Sequence, residues 1–202
     1  MHPRAARVPA ERGHRLRDTD VRRALLHRLE VQYSDDDATG IVEEMGVWSG
    51  SVRIDVAVIN GELSGFELKS DRDTLDRLPL QAELYSKVFD RVTLVCGERH
   101  AVKATQLVPA WWGITVANDG INGVSLEDSR PSEGNPAADP YLIAQLLWRT
   151  EVVSILGRTG IGRGLSGMRV KELHTLLAST LDRKNLAEVV RTALKARADW
   201  LR

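Results

Sequence analysis

Residues 53–71 read RIDVAVINGELSGFELKSD, and the fold turns on this stretch. Residues 52–59 alternate, with Ile54, Val56 and Val58 on one side and Arg53, Asp55 and Ala57 on the other. That is the period of a half-buried strand. Asn60-Gly61 is the strongest short hairpin signal a sequence offers. Residues 62–69 then form the return strand, with Phe66 and Leu68 inward. Side chains at i and i+2 share one strand face, so Glu67 and Lys69 project together. Asp55, on the adjacent strand, can reach the same spot.

Composition sets the limits around this hairpin. A chain of 202 residues suits one domain of ordinary size. Hydrophobic content of 43% and charged content of 28% are globular values. The single cysteine, Cys96, rules out an internal disulfide and fits a reducing cytosol, so a cytoplasmic protein is expected. No run of about 18 apolar residues occurs, so no membrane partner is expected. The Arg-rich N-terminus lacks the apolar segment of a secretory signal. Formal net charge is zero, yet the charge is uneven. Residues 1–30 hold 8 Arg against 4 acids, and residues 149–202 hold 11 Lys and Arg against 5 acids. Basic flanks around an acidic middle suit a metal site served by phosphate-binding arms. Solvated surface charge is the plainer reading of the same pattern.

Outward from the hairpin, the elements follow in order. A helix is predicted from Thr19 or Asp20 to about Leu29, with Val21, Leu25, Leu26 and Leu29 on one face. Residues 41–48 suit a strand. After the hairpin, a turn precedes a helix starting at Pro79, since proline is tolerated only in a first helical turn. Residues 91–97 read as a buried strand, 98–108 as a helix and 112–118 as a further strand. A loop-rich stretch holding one short strand comes next, then helices over 139–202.

The hairpin charges carry a definite chemistry. Two carboxylates can hold a divalent, oxygen-loving cation, here Mg²⁺ with Mn²⁺ as a substitute. The Leu68 carbonyl could add a ligand. Glu44 could supply another carboxylate, and it is preferred to Glu43 because the Glu44-Met45-Gly46 turn sets it nearer the sheet rim. A lysine beside the metal water can hold the attacking oxygen and stabilise charge on a phosphate. The bland alternative is an exposed strand face whose Glu–Lys pair is worth a few tenths of a kcal/mol.

The spacing Asp55-x11-Glu67-x-Lys69 resembles the motif of the PD-(D/E)XK nuclease superfamily. Ile54 stands where the motif name has proline, and no ligand is lost by that. Gln81 and Tyr85, at i and i+4 on one helical face, resemble the Q-x-x-x-Y element of the RecB-like and lambda-exonuclease-like branch. The run from Phe66 to His100 is similar to a family of small bacterial members of unassigned role. The resemblance covers about residues 18–110 and continues more weakly into LLWRTEVVSIL (146–156).

The resemblance implies a restriction-endonuclease-like α/β core, a central mixed sheet flanked by helices, over residues 18–130. A helical C-terminal extension would follow over 139–202, and a disordered basic N-terminus would precede it over 1–17. It implies an Mg²⁺-dependent deoxyribonuclease with Asp55, Glu67 and Lys69 catalytic. Glu44, Asp55, Glu67 and the Leu68 carbonyl would hold metal, and Gln81, Tyr85 and Arg77 would bind substrate. DNA is the expected partner, with RNA open, in DNA repair or anti-phage defence. A non-catalytic nucleic-acid-binding module on the same fold is the alternative. Arg77 could instead pair with Asp73 or cap the helix. The C-terminal helices could equally pack on the core or, as their basic excess slightly favours, grip DNA backbone.

Three weaker signals are read as structural. GRGLSG (162–167) matches G-x-G-x-x-G but follows a helix, so it is a flexible basic linker. Trp111 and Trp112 suit a core or interface, and Cys96 a buried strand thiol. The histidines lack metal-ligand spacing, which makes His27 and His174 surface or packing residues.

Overall fold

Val21, Leu25 and Leu29 recur at helical spacing. In the computed structural model, which describes residues 15–48, 50–120 and 123–197, they form the buried stripe of α1 (Asp18–Gln32). The expected disorder of residues 1–17 falls largely outside the described residues. Leu16 is buried, however, and its N–H donates to Asp71 Oδ2 at 3.1 Å. Gly97 passes so close to Asp71 that a Cβ there would overlap the carboxylate, so only glycine lets this tether form.

Six strands lie in chain order in one sheet: β1 (Gly40–Val47), β2 (Val52–Ile59), β3 (Leu63–Lys69), β4 (Arg91–Gly97), β5 (Gly113–Gly120) and β6 (Gly123–Arg130). Strands β3, β4 and β5 run parallel, and the outer pairs are antiparallel. Parallel neighbours need crossover segments, here supplied by α2 (Leu78–Tyr85) and α3 (Glu98–Leu107). Pro79 sits in the first turn of α2, where its missing N–H costs nothing. The stretch expected to be mostly loop contains a full eight-residue edge strand, β6. Its side chains are largely exposed, so it carries little hydrophobic alternation for a reader of sequence to find.

The hairpin loop differs from the two-residue turn expected at Asn60-Gly61. Ile59 pairs with Leu63, so the loop is Asn60–Glu62 and the return strand starts at Leu63. The Asn60 side chain accepts the Glu62 N–H at 3.0 Å and folds Glu62 into the turn. This one-residue change matters, because register sets which side chains share a face. With Val56 opposite Phe66, the next position on each strand sets Asp55 across from Glu67. A two-residue loop would have set Asp55 across from Phe66.

Helices cover both faces. Under α1, Leu16, Val21, Leu25 and Leu29 pack on Val56, Val58, Leu68 and Val95. The opposite face carries α2, α3 and the C-terminal helices α4 (Pro140–Ala144), α5 (Arg149–Arg158), α6 (Val170–Thr180) and α7 (Arg183–Lys195). The α/β architecture predicted from the sequence, a mixed sheet flanked by helices with further helices C-terminal, is therefore present. The C-terminal helices share the sheet's core: Leu173, Leu177, Leu186, Val190 and Leu194 belong to one buried cluster with Ile54, Leu94 and Trp112.

The GRGLSG stretch lies between α5 and α6. Arg149 pins it by donating to the carbonyls of Leu165, Ser166 and Met168. Trp112 and Cys96 are fully buried, and His174 is buried with Nε2 3.1 Å from the Leu147 carbonyl. Among the described residues, no helix is long and apolar enough to cross a membrane.

Candidate active site

The site forms where two paired strands part. Pairing between β2 and β3 ends at Val56 and Phe66. Beyond it, the Asp55 carboxylate takes the place of a backbone acceptor, with Oδ2 accepting the Leu68 N–H at 2.7 Å. That bond fixes Asp55 beside the Glu67–Lys69 segment. On β1, Glu44 has a φ of +53°, a strained value for a residue with a side chain. Glu43 and Met45 keep their partners on β2 while Glu44 does not. Its carboxylate then comes within 3.0 Å of the same Arg22 guanidinium that holds Asp55 Oδ1 at 2.9 Å. Of the two candidates on β1, Glu44 is thus the one drawn toward Asp55. Glu43 lies farther from that arginine, at 3.5 Å.

Glu67 is the centre of the set. It is 2% exposed, and Lys69 is 5% exposed. Glu67 Oε1 accepts the Lys69 ammonium and, at 2.6 Å, the Gln81 amide from α2. Glu67 Oε2 is buried with no hydrogen-bond partner among the described residues, as is Gln81 Oε1. The Tyr85 hydroxyl lies nearby but donates to the Arg53 carbonyl, so its proton is committed elsewhere. The Tyr85 ring is fully buried and stacks on Trp112. The structure thus puts Gln81 on the Glu67 carboxylate and Tyr85 behind it, with its ring in the core. Arg77, just before α2, lines a cavity of about 470 Å³ together with Asp18, Glu44, Asp55, Glu67 and Lys69. Asp73 accepts from the Ser70 N–H and hydroxyl, and no ion pair joins it to Arg77 among the described residues. A larger groove of about 810 Å³ between α5 and α7 lies away from these groups. Its Glu151 is held by Arg197.

Electrostatics follow from burial. Desolvation, joined by the Asp55 charge, pushes the Glu67 carboxyl up to about 7 against the pull of Lys69. Desolvation also raises Asp55, opposed first by the Leu68 N–H and then by Arg22. Burial and the neighbouring Glu67 push the Tyr85 phenol upward. A stability consequence follows for the metal-free chain. The folded Glu67 holds its proton to higher pH than the unfolded one, so it stabilises the fold below about 4.5 and loses that contribution as pH rises through about 7. Chemical denaturation from pH 4.5 to 8 is expected to show a decline over this window that Glu67→Gln flattens. An equal decline in the variant would assign the effect to other groups.

Among the described residues, no three His, Cys, Asp or Glu side chains converge as a metal-holding group. Glu44 and Asp55 close on Arg22, and Glu67 Oε1 closes on Lys69. The donor chemistry nonetheless fits a hard divalent cation: carboxylate and carbonyl oxygens, one of them an orphaned and buried Glu67 Oε2. Arg22 carries no motif that sequence reading could use. Its only local signal is Asp18 four residues earlier, an ordinary helix pair.

Fold and site together define an α/β protein with a buried carboxylate–lysine set in a splayed sheet. The chain belongs to the family described as bacteriophage P4 protein cII, whose model matches residues 11–199. Protein cII of Enterobacteria phage P4 is 29% identical over 182 residues, covering 90% of this chain and 68% of that protein. SPO1766, a protein of unknown function from Silicibacter pomeroyi, has a solved structure at 20% identity with a TM-score of 0.41, covering 81% of this chain and 99% of its own.

Proposed function

We propose that the chain is a divalent-metal-dependent nuclease that hydrolyses phosphodiester bonds, with DNA as its substrate. The observation that carries this reading is the orphaned oxygen of Glu67, buried beside Asp55 and Lys69. Leaving a carboxylate oxygen unsatisfied in a buried site is costly, and a bound cation removes that cost. The residues able to hold Mg²⁺ or Mn²⁺ are Asp55, Glu67, Glu44 and the Leu68 carbonyl. The ion would supply Lewis acidity and an activated water. Lys69 would place positive charge beside the reacting phosphate. Gln81 orients Glu67 through its 2.6 Å bond, and Arg77 would meet the phosphate backbone at the cavity edge. The resemblance to PD-(D/E)XK nucleases supports the same assignment of roles.

A second reading, a non-catalytic nucleic-acid-binding module, has one observation in its favour. The Arg22–Asp55 and Lys69–Glu67 pairs neutralise these charges within the chain itself. One set of measurements separates the two. Titration calorimetry with Mn²⁺ is expected to show binding that Asp55→Ala and Glu67→Ala largely abolish while the fold persists. Incubation with linear, circular, single-stranded and branched DNA in Mg²⁺ is expected to yield cleavage that both variants lose. DNA binding without cleavage on every substrate would favour the binding module.

A further inference from the structure

Four carboxylates converge on one guanidinium. From α1, Arg22 Nη2 reaches Asp55 Oδ1 at 2.9 Å and Glu44 Oε1 at 3.0 Å. Its Nε reaches Asp18 at 3.3 Å, and its Nη1 reaches Glu43 at 3.5 Å and donates to the Asp55 carbonyl at 3.1 Å. Arg22 and Asp55 are mostly buried, at 18% and 22% side-chain exposure, while Asp18, Glu43 and Glu44 are about half exposed and meet solvent. On β3, next to the strand that carries Asp55, Glu67 Oε2 is buried and has no partner among the described residues. The acidic oxygens are therefore divided. Asp55 Oδ1 and Glu44 Oε1 are taken by a cation the chain itself supplies, Asp55 Oδ2 by the Leu68 N–H and Glu67 Oε1 by Lys69, and Glu67 Oε2 is left open.

We propose that Arg22 is the resident counter-ion of this carboxylate set, and that a divalent cation binds by displacing it from Asp55 and Glu44. The inference rests on the reading of the site as cation-binding. A guanidinium and a divalent ion cannot share the same carboxylate oxygens without repulsion, and a hard divalent ion prefers those oxygens strongly. Arg22 sits at the end of a flexible side chain on a helix, so it can withdraw without disturbing the sheet. It carries two effects of opposite sign. Without metal it relieves repulsion among Asp18, Glu43, Glu44 and Asp55 and stabilises the fold. Toward metal it is a competitor and lowers affinity, as linkage requires of two ligands sharing one site. A purely structural arginine would behave differently, since its loss would loosen the carboxylates and weaken metal binding as well.

The test uses the full chain and Mn²⁺ as the probe, with calorimetry for affinity and thermal melting for stability. Arg22→Gln is expected to lower the metal-free melting temperature yet to bind Mn²⁺ about tenfold more tightly than the unaltered chain. The rise in melting temperature on adding Mn²⁺ should then be larger in the variant. Adding Asp55→Asn to Arg22→Gln should remove the gain, which ties it to this set. Binding by the unaltered chain with equal or weaker binding by Arg22→Gln overturns the inference and leaves the cation site standing. Absence of Mn²⁺ binding in both removes the site reading and the inference together. If Arg22→Gln does not fold without metal, recovery of its native circular dichroism in Mn²⁺ supports the proposal, and no recovery overturns it.

Discussion

Lys69→Ala and Lys69→Met should each lower DNA cleavage by on the order of 10³-fold while leaving DNA affinity nearly unchanged. Lys69 is buried against Glu67 at the point where β2 and β3 part, so it would contribute little to an outer surface meeting a duplex. In the proposed reaction its charge would act where charge develops on the phosphate. The control for folding is built into the pair. Alanine leaves Glu67 without its ammonium, and burial then drives that carboxyl toward its neutral form. Methionine keeps most of the side-chain volume and limits any cavity. Single-turnover cleavage in Mg²⁺, with anisotropy binding in Ca²⁺, separates chemistry from grip. Full cleavage by a folded Lys69→Met would remove Lys69 from the reaction.

The sequence makes the axis of this site legible because strand periodicity is short-range. The i, i+2 relation of Glu67 and Lys69 and the alternation of residues 56–59 follow from local geometry alone, but Ile54, expected on the side of Val56 and Val58, packs in the core of the other face because β2 becomes irregular at Asp55. The register is less legible. It depends on whether Glu62 belongs to the strand or the turn, and that is settled by one side-chain bond from Asn60. Two features lie beyond sequence reading altogether. The positive φ of Glu44 arises at the one position where β1 skips its partner on β2, and no residue type announces it. Arg22 joins the site from across 33 residues of chain, through tertiary packing of α1 on the sheet. Tyr85 shows the opposite case. Its spacing from Gln81 is correctly read as one helical face, and both side chains come to the site region. Spacing does not say which residue of the pair faces the cavity and which faces the core.

The tail carries the other large effect: a fragment ending at residue 160 is expected not to fold. The basic excess of residues 149–202 suggests a DNA-gripping appendage, but four of those eleven basic residues are engaged inside the structure. Arg149 holds the Leu165–Met168 turn, Arg183 the Asn135 carbonyl, Arg191 Asp90 and Arg197 Glu151. The apolar side of the tail is equally committed. Leu165, Leu173, Leu177, Leu186, Val190 and Leu194 are buried in the cluster that also covers the sheet. Each such side chain is worth about 1.5–3 kcal/mol when buried, against a net stability of about 5–15 kcal/mol for a domain. Losing all six therefore removes an amount comparable to the whole net stability. Leu177→Ala alone, fully buried in α6, is expected to destabilise the chain by about 2–5 kcal/mol. Urea denaturation of the variant and circular dichroism of the fragment measure both effects. A fragment with a native, cooperative melt would mean that the sheet and helices α1–α5 hold together without α6 and α7. The tail's basic face could then be tested directly, by comparing the salt dependence of DNA binding with and without it.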